Sequence, residues 1–356
     1  MTTLDYATPS AALASTPARR RPSLLNVYMQ LSKARLTLMV LITTAVGYML
    51  APWVNIDPTG DTRSPWGTWS TQSNHAVLSG GLPDLITGSW MGLLWTVVGT
   101  GFLAAGASAF NQLMEIDRDG LMERTKRRPL PTGRISPLHG LVFGMACIII
   151  GAGVLVERST PMAAALGLLN VVLYAFVYTP LKTRTTLNTL VGAIVGALPP
   201  MMGWAGASGS LSAGAYLLGA ILFVWQIPHF LALAWMYRAE YAKGGYRMLP
   251  VVEKDGRLTC LLVVIYSMAL LAVGPAAMVL GVTGWISAIF SMVLGSVMVA
   301  AALNLSRNKT RENARKLFFA SIIYLPLLLI MMVADSSESG KLTALRSTQT
   351  TDQAQR

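Results

Sequence analysis

Long apolar stretches run along most of this chain, and their length predicts its architecture. A helix that crosses a bilayer needs about 20 consecutive, mainly apolar residues. The sequence has nine such stretches, at residues 36–54, 89–110, 137–156, 161–180, 187–206, 213–236, 258–281, 283–304 and 315–335. They lack the polar–apolar alternation of membrane strands, and backbone groups in lipid must be satisfied within the element. The pattern predicts an all-α, polytopic membrane protein with nine transmembrane helices in one bundle.

The composition agrees and excludes a soluble enzyme. Of 356 residues, 53% are hydrophobic and 12% are charged, whereas soluble domains carry about a quarter charged residues. The two cysteines, Cys147 and Cys260, lie in or beside apolar runs, so we expect neither a disulfide framework nor a thiolate cluster. The three histidines are too scattered for a polyhistidine metal site. Any metal is therefore expected to have oxygen ligands.

Basic residues are divided unequally between the two sides of the predicted bundle. The chain has 28 Lys and Arg against 16 Asp and Glu, a formal net charge of +12. In so apolar a chain this excess orients helices rather than binding nucleic acid. On the nine-span assignment, 23 of the 28 cations fall on the side of the N-terminus and five on the other. We expect a cytoplasmic N-terminus and an external C-terminus; eight or ten spans would break this alternation.

The predicted spans divide the chain into a nine-helix domain and its flanking segments. We expect a cytoplasmic N-terminal tail at 1–35, the intramembrane domain at 36–335, an external loop at 55–88, cytoplasmic loops at 114–136 and 237–257, and an external C-terminal tail at 336–356. Trp53, Trp66 and Trp69 suit the interface around the external loop. The Ser- and Thr-rich tail also has the composition of a mitochondrial transit peptide. Its short length favours a disordered tail, and hence a bacterial inner membrane over a mitochondrial one.

Four of the sixteen acidic residues lie within nine positions directly after the second predicted span. If that helix continues past the membrane boundary, Asn111, Glu115 and Asp119 share one stripe, because each residue turns the helix by about 100°. Asp117 points the other way and is the weaker candidate ligand. Carboxylates at this spacing repel one another, and Mg²⁺ prefers oxygen ligands. The stripe predicts a magnesium site at Asn111, Glu115 and Asp119.

A basic run follows the acidic stripe in the same loop. It contains Arg124, Lys126, Arg127, Arg128 and Arg134. Mg²⁺ is commonly bound by one or two carboxylates together with substrate phosphates, and such cations bind phosphate. The loop therefore suggests a magnesium-bridged diphosphate. The alternative is a solvated loop whose charges neutralise each other; a polar side chain at the membrane boundary, as at Asn111, favours a site.

Three segments together resemble a known family. They are DGLMERTKRRPL at 119–130, YTPLKTRTTLNT at 178–189 followed by GALPPMMGW at 196–204, and WQIPHF at 225–230 leading to YRAEY at 237–241 and MLP at 248–250. The chain resembles the UbiA-type intramembrane prenyltransferases and, more narrowly, the subfamily that farnesylates protohaem IX. The three segments cover most of the chain, and their combination is specific.

The resemblance implies transfer of a farnesyl group from farnesyl diphosphate to a vinyl group of haem B. Water adds, diphosphate is released, and haem O forms, with Mg²⁺ as the implied cofactor. Asn111, Glu115 and Asp119 match the metal–diphosphate motif, and Tyr178 with Lys182 match its Y-x-x-x-K contact. The implied catalytic residues are Asn111, Glu115, Asp119 and Lys182. The implied partners are farnesyl diphosphate, haem B and the lipid bilayer, with haem–copper oxidase biogenesis proteins as candidate assembly partners.

Other residues are expected to contact the substrates. The substrate-binding candidates are Arg124, Lys126, Arg128, Tyr178, Arg184, His229, Arg238 and Glu240. Tyr174, Tyr178 and Trp204 are candidate walls that shield an allylic cation from water. The second aspartate-rich motif of the superfamily is absent, and the sixth-helix region offers His229 and Glu240 instead. For His229 two interpretations remain: contact with haem iron or a propionate, or a hydrogen bond between helices.

Three rival functions are less consistent with the sequence. A related prenyltransferase for an aromatic or quinone-precursor acceptor lacks the segments at 119–130 and 225–250. A transporter would need a polar path, for which Asn170, Asn188, Gln226 and Asn304 are candidates, but no inverted repeat is evident. A membrane haem redox protein usually needs paired histidine ligands.

Overall fold

The structure, a computed structural model, describes residues 23–54 and 82–354, with side chains for 23–51 and 90–336. Apart from turns and short connections, the described residues are helical. The helices are α1 (Leu24–Leu31), α2 (Ala34–Val54), α3 (Leu82–Met114), α4 (Ile116–Leu121), α5 (Pro137–Arg158), α6 (Pro161–Val172), α7 (Thr179–Arg184), α8 (Asn188–Ser208), α9 (Ala213–Met236), α10 (Arg238–Lys243), α11 (Leu249–Val252), α12 (Arg257–Ala269), α13 (Val273–Val279), α14 (Trp285–Arg307) and α15 (Arg311–Ala354).

Nine segments of the described chain are long and apolar enough to cross a membrane. They are α2, α3, α5, α6 with α7, α8, α9, α12 with α13, α14 and α15, and they coincide with the nine predicted stretches. The prediction of an all-helical, nine-span protein is confirmed. α8 is the most buried span and α5 the least, so α8 lies at the centre and α5 at the periphery.

Small residues let α2 and α8 approach each other closely. A Cβ added at Gly203 would overlap the carbonyl oxygen of Thr44, and one added at Gly47 would overlap that of Pro200. Backbone contact through small residues is a common way for membrane helices to associate. Gly192 and Gly196 also allow close packing. Added Cβ atoms there would meet the Tyr178 ring and the Gln226 amide.

Two of the spans are interrupted. A π-helix at Leu173–Tyr178 joins α6 to α7, and a turn at residues 270–272 separates α12 from α13. π-Helical turns occur often at functional sites. Here the wider turn brings Tyr174 and Tyr178 into a stacked arrangement with ring centroids 5.8 Å apart.

Some predictions fall outside the described residues. Residues 1–22 of the expected tail and 55–81 of the expected external loop lie there, with Trp66 and Trp69 among them. α15 continues as a helix to Ala354, beyond the expected end of the ninth span at residue 335.

Candidate active site

The candidate site residues of the sequence lie together at one end of the bundle, where α3 ends and α8 begins. We call this the basic end, because α2, α5, α8, α12 and α15 all start there and carry the long basic connections. The turn between α1 and α2, the α3–α4 junction, α7 and the segment 244–247 all contribute to it. Folding therefore brings together residues that are far apart in sequence.

The acidic stripe is present, but it does not lie on one continuous helix. α3 ends one residue before Glu115 and α4 begins one residue after it, so the expectation of a single helix through Asn111 and Asp119 is wrong. The chain keeps a helical path, because the Asp119 amide donates to the Glu115 carbonyl at 2.7 Å. Asn111, Glu115 and Asp119 are buried, whereas Asp117 is exposed. The burial thus follows the predicted faces.

Each of these three buried side chains accepts a hydrogen bond from a basic side chain through one of its oxygens. The pairs are Lys33 with Asn111, Lys182 with Glu115 at 2.8 Å, and Arg128 with Asp119 at 2.6 Å. Charge-assisted bonds of this kind are stronger than neutral ones. Three cations therefore face two carboxylates, which leaves the cluster short of negative charge.

Lys33 was missed as a site residue, because from the sequence it is one of many cations flanking a span. It sits in the turn between α1 and α2, and its Nζ donates to Asn111 Oδ1 and, at 3.0 Å, to the Tyr174 hydroxyl. Asn111 Nδ2 donates in turn to Thr179 Oγ1 at 2.8 Å. Only the tertiary fold reveals this network, which joins the first span to the π-helix.

Lys182 is enclosed by aromatic rings as well as by Glu115. Its Nζ lies 4.6 Å from the ring centroid of Tyr178 and 5.9 Å from that of Tyr246. The Arg247 amide donates to the Lys182 carbonyl at 2.7 Å, which fixes the 244–247 segment against α7. Tyr246 is a second site residue that the sequence patterns did not single out.

Burial and neighbouring charges together shift the pKa values of this cluster. It raises the pKa of Asp119 above its ordinary value, although Arg128 opposes the shift. Burial acts in the same direction on Glu115, but Lys182 and Lys33 outweigh it, so the pKa of Glu115 is lowered. Burial, with Lys182 and Arg128 nearby, lowers the pKa of Lys33 to about 7. An anionic ligand would reduce the electrostatic repulsion among these cations.

The donors suit a hard divalent ion bound together with a ligand. Asp119 Oδ1 is buried and has no hydrogen-bond partner, so one carboxylate oxygen is available for coordination. Among the described residues no group of three or more His, Cys, Asp or Glu side chains is placed to hold a metal ion. Two carboxylates and one amide are therefore too few for an all-protein cage. They fit an ion such as Mg²⁺ that takes its remaining ligands from phosphate and water.

Five other predicted substrate contacts lie around this cluster rather than in it. Lys126 forms a surface ion pair with Glu123 at 2.6 Å, and Arg124 lies over the Tyr237 and Tyr241 rings. Glu240 accepts from the backbone amide of Glu123 at 3.0 Å, which ties α10 to the basic loop. Arg184 and Arg238 are exposed at the same end, the latter over Trp235.

His229 lies within the membrane part of α9, about 10 Å along the helix from its end at the basic side. Its Nδ1 is 2.8 Å from the Ser321 hydroxyl of α15. The ring stacks between Trp225 and Phe318, with centroids 4.8 Å away on either side. The interhelical hydrogen bond is thus present. Among the described residues, no hydrogen bond is made by Nε2, which stays free for another partner.

Trp204 is not a wall of the site, contrary to expectation. α8 begins at the basic end, and Trp204 lies 16 residues along it, about 24 Å away at 1.5 Å per residue. Its side chain is fully buried against Gly214. A sequence motif does not give the depth of a side chain in the bundle, which here follows from the helical rise of α8.

The polar residues considered for a transport path do not line one. Asn188 lies at the basic end and donates to the Arg247 carbonyl at 3.0 Å, whereas Asn304 is exposed. Gln226 is buried against Gly196, and Asn170 is half-buried. They are dispersed over four helices.

Comparison with known proteins places the chain in a family. The UbiA prenyltransferase family matches it over residues 76–323. The chain is 38% identical over 316 residues to the mitochondrial protoheme IX farnesyltransferase of Homo sapiens, covering 88% of this chain and 63% of that protein. It is 37% identical over 308 residues to the protoheme IX farnesyltransferase of Solibacter usitatus, covering 86% of this chain and 98% of that protein.

Solved structures share the fold at low sequence identity. A digeranylgeranylglyceryl phosphate synthase superimposes with a TM-score of 0.65 at 15% identity, covering 88% of this chain and 98% of that one. A UbiA homologue from Archaeoglobus fulgidus bound to GPP and Mg²⁺ gives a TM-score of 0.53 at 16% identity, with 88% and 99% coverage. The chain belongs to the UbiA prenyltransferase family.

Proposed function

We propose that this chain is a prenyltransferase that moves the farnesyl group of farnesyl diphosphate to a vinyl group of haem B. Water adds to the product, diphosphate leaves, and haem O forms. The relatives named above are protoheme IX farnesyltransferases, and the longer human protein extends well beyond the region that this chain matches. The subfamily segments at 119–130 and 225–250 support the haem acceptor over an aromatic one.

The observation that carries the proposal is the buried cluster of oxygen donors and cations at the basic end. Asn111, Glu115 and Asp119 supply oxygens suited to Mg²⁺, and Lys182 and Arg128 supply donors suited to phosphate. Such a site favours the departure of diphosphate, because charge that develops on the leaving group meets cations already in place. When bound, Mg²⁺ would neutralise part of the same charge.

The chemistry of the step balances without an oxidant or a reductant. The C1–O bond of farnesyl diphosphate breaks, and its electron pair leaves with the diphosphate. The allylic cation forms a bond to the terminal vinyl carbon. Water then adds to the cation left on the inner vinyl carbon and loses one proton.

Tyrosine rings are placed to protect the allylic cation. Tyr174 and Tyr178 stack on each other beside Lys182. The ring of Tyr246 also lies next to the Lys182 ammonium group. The faces of aromatic rings attract cations, and their bulk excludes water before the new bond forms. Their position beside Lys182 supports a role in shielding the farnesyl C1 as the diphosphate leaves.

We also propose the orientation expected from the charges, with the basic end in the cytoplasm. A membrane-impermeant thiol reagent tests it, since both native cysteines are buried. Arg134→Cys, in the loop before α5, should be labelled only from the cytoplasmic side. Leu280→Cys, at an exposed position between α13 and α14, should be labelled only from the external side. The reverse pattern contradicts the orientation.

Conversion of haem B tests the activity directly. Haem B, farnesyl diphosphate and Mg²⁺ are added to the purified full chain in lipid nanodiscs. The haems are then separated by chromatography and identified by mass spectrometry. We expect haem O, with inorganic diphosphate released in equal amount. Unchanged haem together with a prenylated phenolic acid, in a parallel reaction supplied with that acceptor, would instead support the aromatic alternative.

A further inference from the structure

Gln226 is a polar side chain in the apolar interior that the steps described so far do not use. It lies on α9 and is 5% exposed, and its Oε1 atom has no hydrogen-bond partner among the described residues. α9 ends at the basic end with Met236, so Gln226 lies about 15 Å deep at 1.5 Å per residue. A buried amide oxygen without a partner is unfavourable, and such atoms are usually satisfied by an ordered water or a ligand.

Two glycines of α8 place the Gln226 amide next to the tyrosine rings of the site. An added Cβ at Gly192 would clash with the Tyr178 ring, and one at Gly196 would overlap the Gln226 amide. Residues four apart share a helix face and differ by about 6 Å in depth. The centroid of the Tyr178 ring lies 4.6 Å from Lys182 Nζ. Lys182, Tyr178 and Gln226 therefore follow one another from the basic end into the bundle.

Gln226 is also a neighbour of the candidate haem contact. His229 lies three residues further along α9, so the two side chains leave neighbouring parts of the helix surface, with His229 about 4.5 Å nearer to the basic end. The His229 ring faces Ser321 of α15, whereas the Gln226 amide faces Gly196 of α8. Gln226 thus lies between the tyrosine that is placed to shield the allylic cation and the histidine that is a candidate for contact with haem.

A proline in α8 leaves a second oxygen acceptor beside the Gln226 amide. Pro200 lies inside this helix and has no N–H group, so the Gly196 carbonyl lacks the donor that a regular helix supplies. Gly196 is the residue against which the amide packs. Two oxygen acceptors from different helices are therefore close together in apolar surroundings. Buried waters are typically held by two to four polar partners of this kind.

We propose that Gln226 positions the water that adds to the vinyl group when haem O forms. The water donates one hydrogen to Gln226 Oε1 and the other to the Gly196 carbonyl, so that an oxygen lone pair faces the cation on the inner vinyl carbon. A C–O bond forms there, and the released diphosphate takes up the proton that the water loses. This inference rests on the proposed function, because it requires the farnesylated vinyl cation.

The identity of the product reports on this role. Without a held water, the cation loses a proton from the adjacent carbon, which carries the new bond to farnesyl. The result is an alkene that is lighter than haem O by one water molecule. Any alcohol that still forms takes water from either face of the cation, so both stereoisomers appear at the new carbinol carbon. A change in packing alone alters the rate of the reaction but neither of these two features.

Product analysis of Gln226→Met tests the proposal. Haem B, farnesyl diphosphate and Mg²⁺ are added to the full chain in nanodiscs, and the products are separated by chiral chromatography and identified by mass spectrometry. The wild type should form haem O as a single stereoisomer. Methionine keeps the length of the side chain but removes the acceptor, so the ratio of haem O to alkene should fall at least about tenfold, as expected for one lost hydrogen bond. The KM for farnesyl diphosphate should stay the same.

Three further variants make the test specific. Gly196→Ala leaves Gln226 in the chain but displaces its amide, and should shift the products in the same direction. Gln226→Glu keeps an oxygen acceptor of the same reach and should retain haem O as the main product. Ser267→Ala is the matched control, because the Ser267 hydroxyl is also buried without a partner, about 15 Å from the basic end along α12. It should leave the products unchanged.

The outcomes separate this inference from the proposed function. If Gln226→Met and Gly196→Ala form only haem O as a single stereoisomer, at whatever rate, the role of Gln226 is wrong while the proposed function stands. If Gln226→Met does not purify as a monodisperse protein, Gly196→Ala decides by the same criterion. If the wild type forms no haem O, both proposals fall.

Discussion

Arg128 binds Asp119 through one carboxylate oxygen only. Arg128 Nη1 lies 2.6 Å from Asp119 Oδ2, while Oδ1 of the same carboxylate is buried without a hydrogen-bond partner. An unpartnered buried oxygen is unfavourable unless a ligand satisfies it. The pair therefore combines a fixed orientation of the carboxylate with one oxygen left for a metal or for water.

Asp119→Asn should abolish most of the activity without unfolding the protein. The amide keeps the size of the side chain and can still accept from Arg128, but the charge for the metal is gone. Loss of one electrostatic contact to a developing charge costs about 10²- to 10³-fold in kcat. Haem O formation and size-exclusion profiles of the variant are compared with those of Asp255→Asn, an exposed acid at the same end. Wild-type turnover of Asp119→Asn would refute the metal assignment.

The nine spans could be predicted from the sequence because each apolar stretch is by itself long enough to cross a membrane. The sequence also predicted which side chains share a face, since Asn111, Glu115 and Asp119 repeat at helical spacing and Asp117 breaks it; the structure adds that these three are buried and Asp117 is exposed. The break at Glu115 was not predictable, because no glycine or proline marks it.

The basic residues that pair with these three side chains were harder to predict than the side chains themselves. Lys33 lies 78 residues before Asn111, and in the sequence its charge has the same meaning as that of any cation flanking a span. The expectation that Trp204 forms a wall of the site is wrong for a different reason. Its motif resembles a site segment, but helical rise carries it to the opposite end of α8. Periodicity predicts the faces and lengths of helices. Contacts between residues far apart in the sequence, and the depth of a residue in the bundle, depend on how the helices pack.

Gly192→Ala should lower activity by displacing Tyr178. An added Cβ would lie 2.8 Å from Cε2 of the Tyr178 ring, so the ring must change its position relative to Lys182, whose Nζ lies 4.6 Å from the ring centroid. A misplacement of about 1 Å in an active site can cost up to 10²-fold, and we expect at least about a tenfold fall in kcat. Gly153→Ala is the control, because an added Cβ there meets nothing within 4 Å. Equal turnover by the two variants would contradict this role of Tyr178.

Gly203→Ala should destabilise the bundle rather than the site. The new methyl group would overlap the Thr44 carbonyl on α2, and backbone atoms cannot rotate out of the way as a side chain does. Overpacking of this kind costs about 1–3 kcal/mol. Thermal unfolding in detergent should show a lower midpoint than for wild type, with Gly153→Ala again as the reference. An unchanged midpoint would mean that α2 and α8 separate without loss.

Glu253→Ala should destabilise the start of α12 in a pH-dependent way. The Glu253 carboxylate accepts from the amides of Leu258 and Thr259 at 2.5 and 2.9 Å and from the Thr259 hydroxyl at 2.8 Å. Burial opposes ionisation, but these hydrogen bonds prevail and lower the pKa of Glu253. Loss of a helix cap costs about 1 kcal/mol.

The sign of the pH effect follows from that lowered pKa. The stabilisation is fully present above the ordinary glutamate pKa and is lost as the pH falls through the lower pKa of the folded state. The unfolding midpoints of wild type and Glu253→Ala should therefore differ at neutral pH and converge in acid. A difference that stays constant down to the acid range would show that the charge of Glu253 is not what stabilises α12.

His229→Ala should separate haem binding from helix packing. If Nε2 contacts haem, the KM for haem B rises at least about tenfold, as expected for a lost axial or charged contact, while the KM for farnesyl diphosphate stays the same. Ser321→Ala is the matched variant, because it removes the interhelical hydrogen bond at 2.8 Å but leaves the imidazole in place between Trp225 and Phe318. It should lower the unfolding midpoint with little change in either KM. A stability loss in both variants with unchanged KM values would reduce His229 to a packing residue, and haem would then have to be bound by other side chains at the basic end.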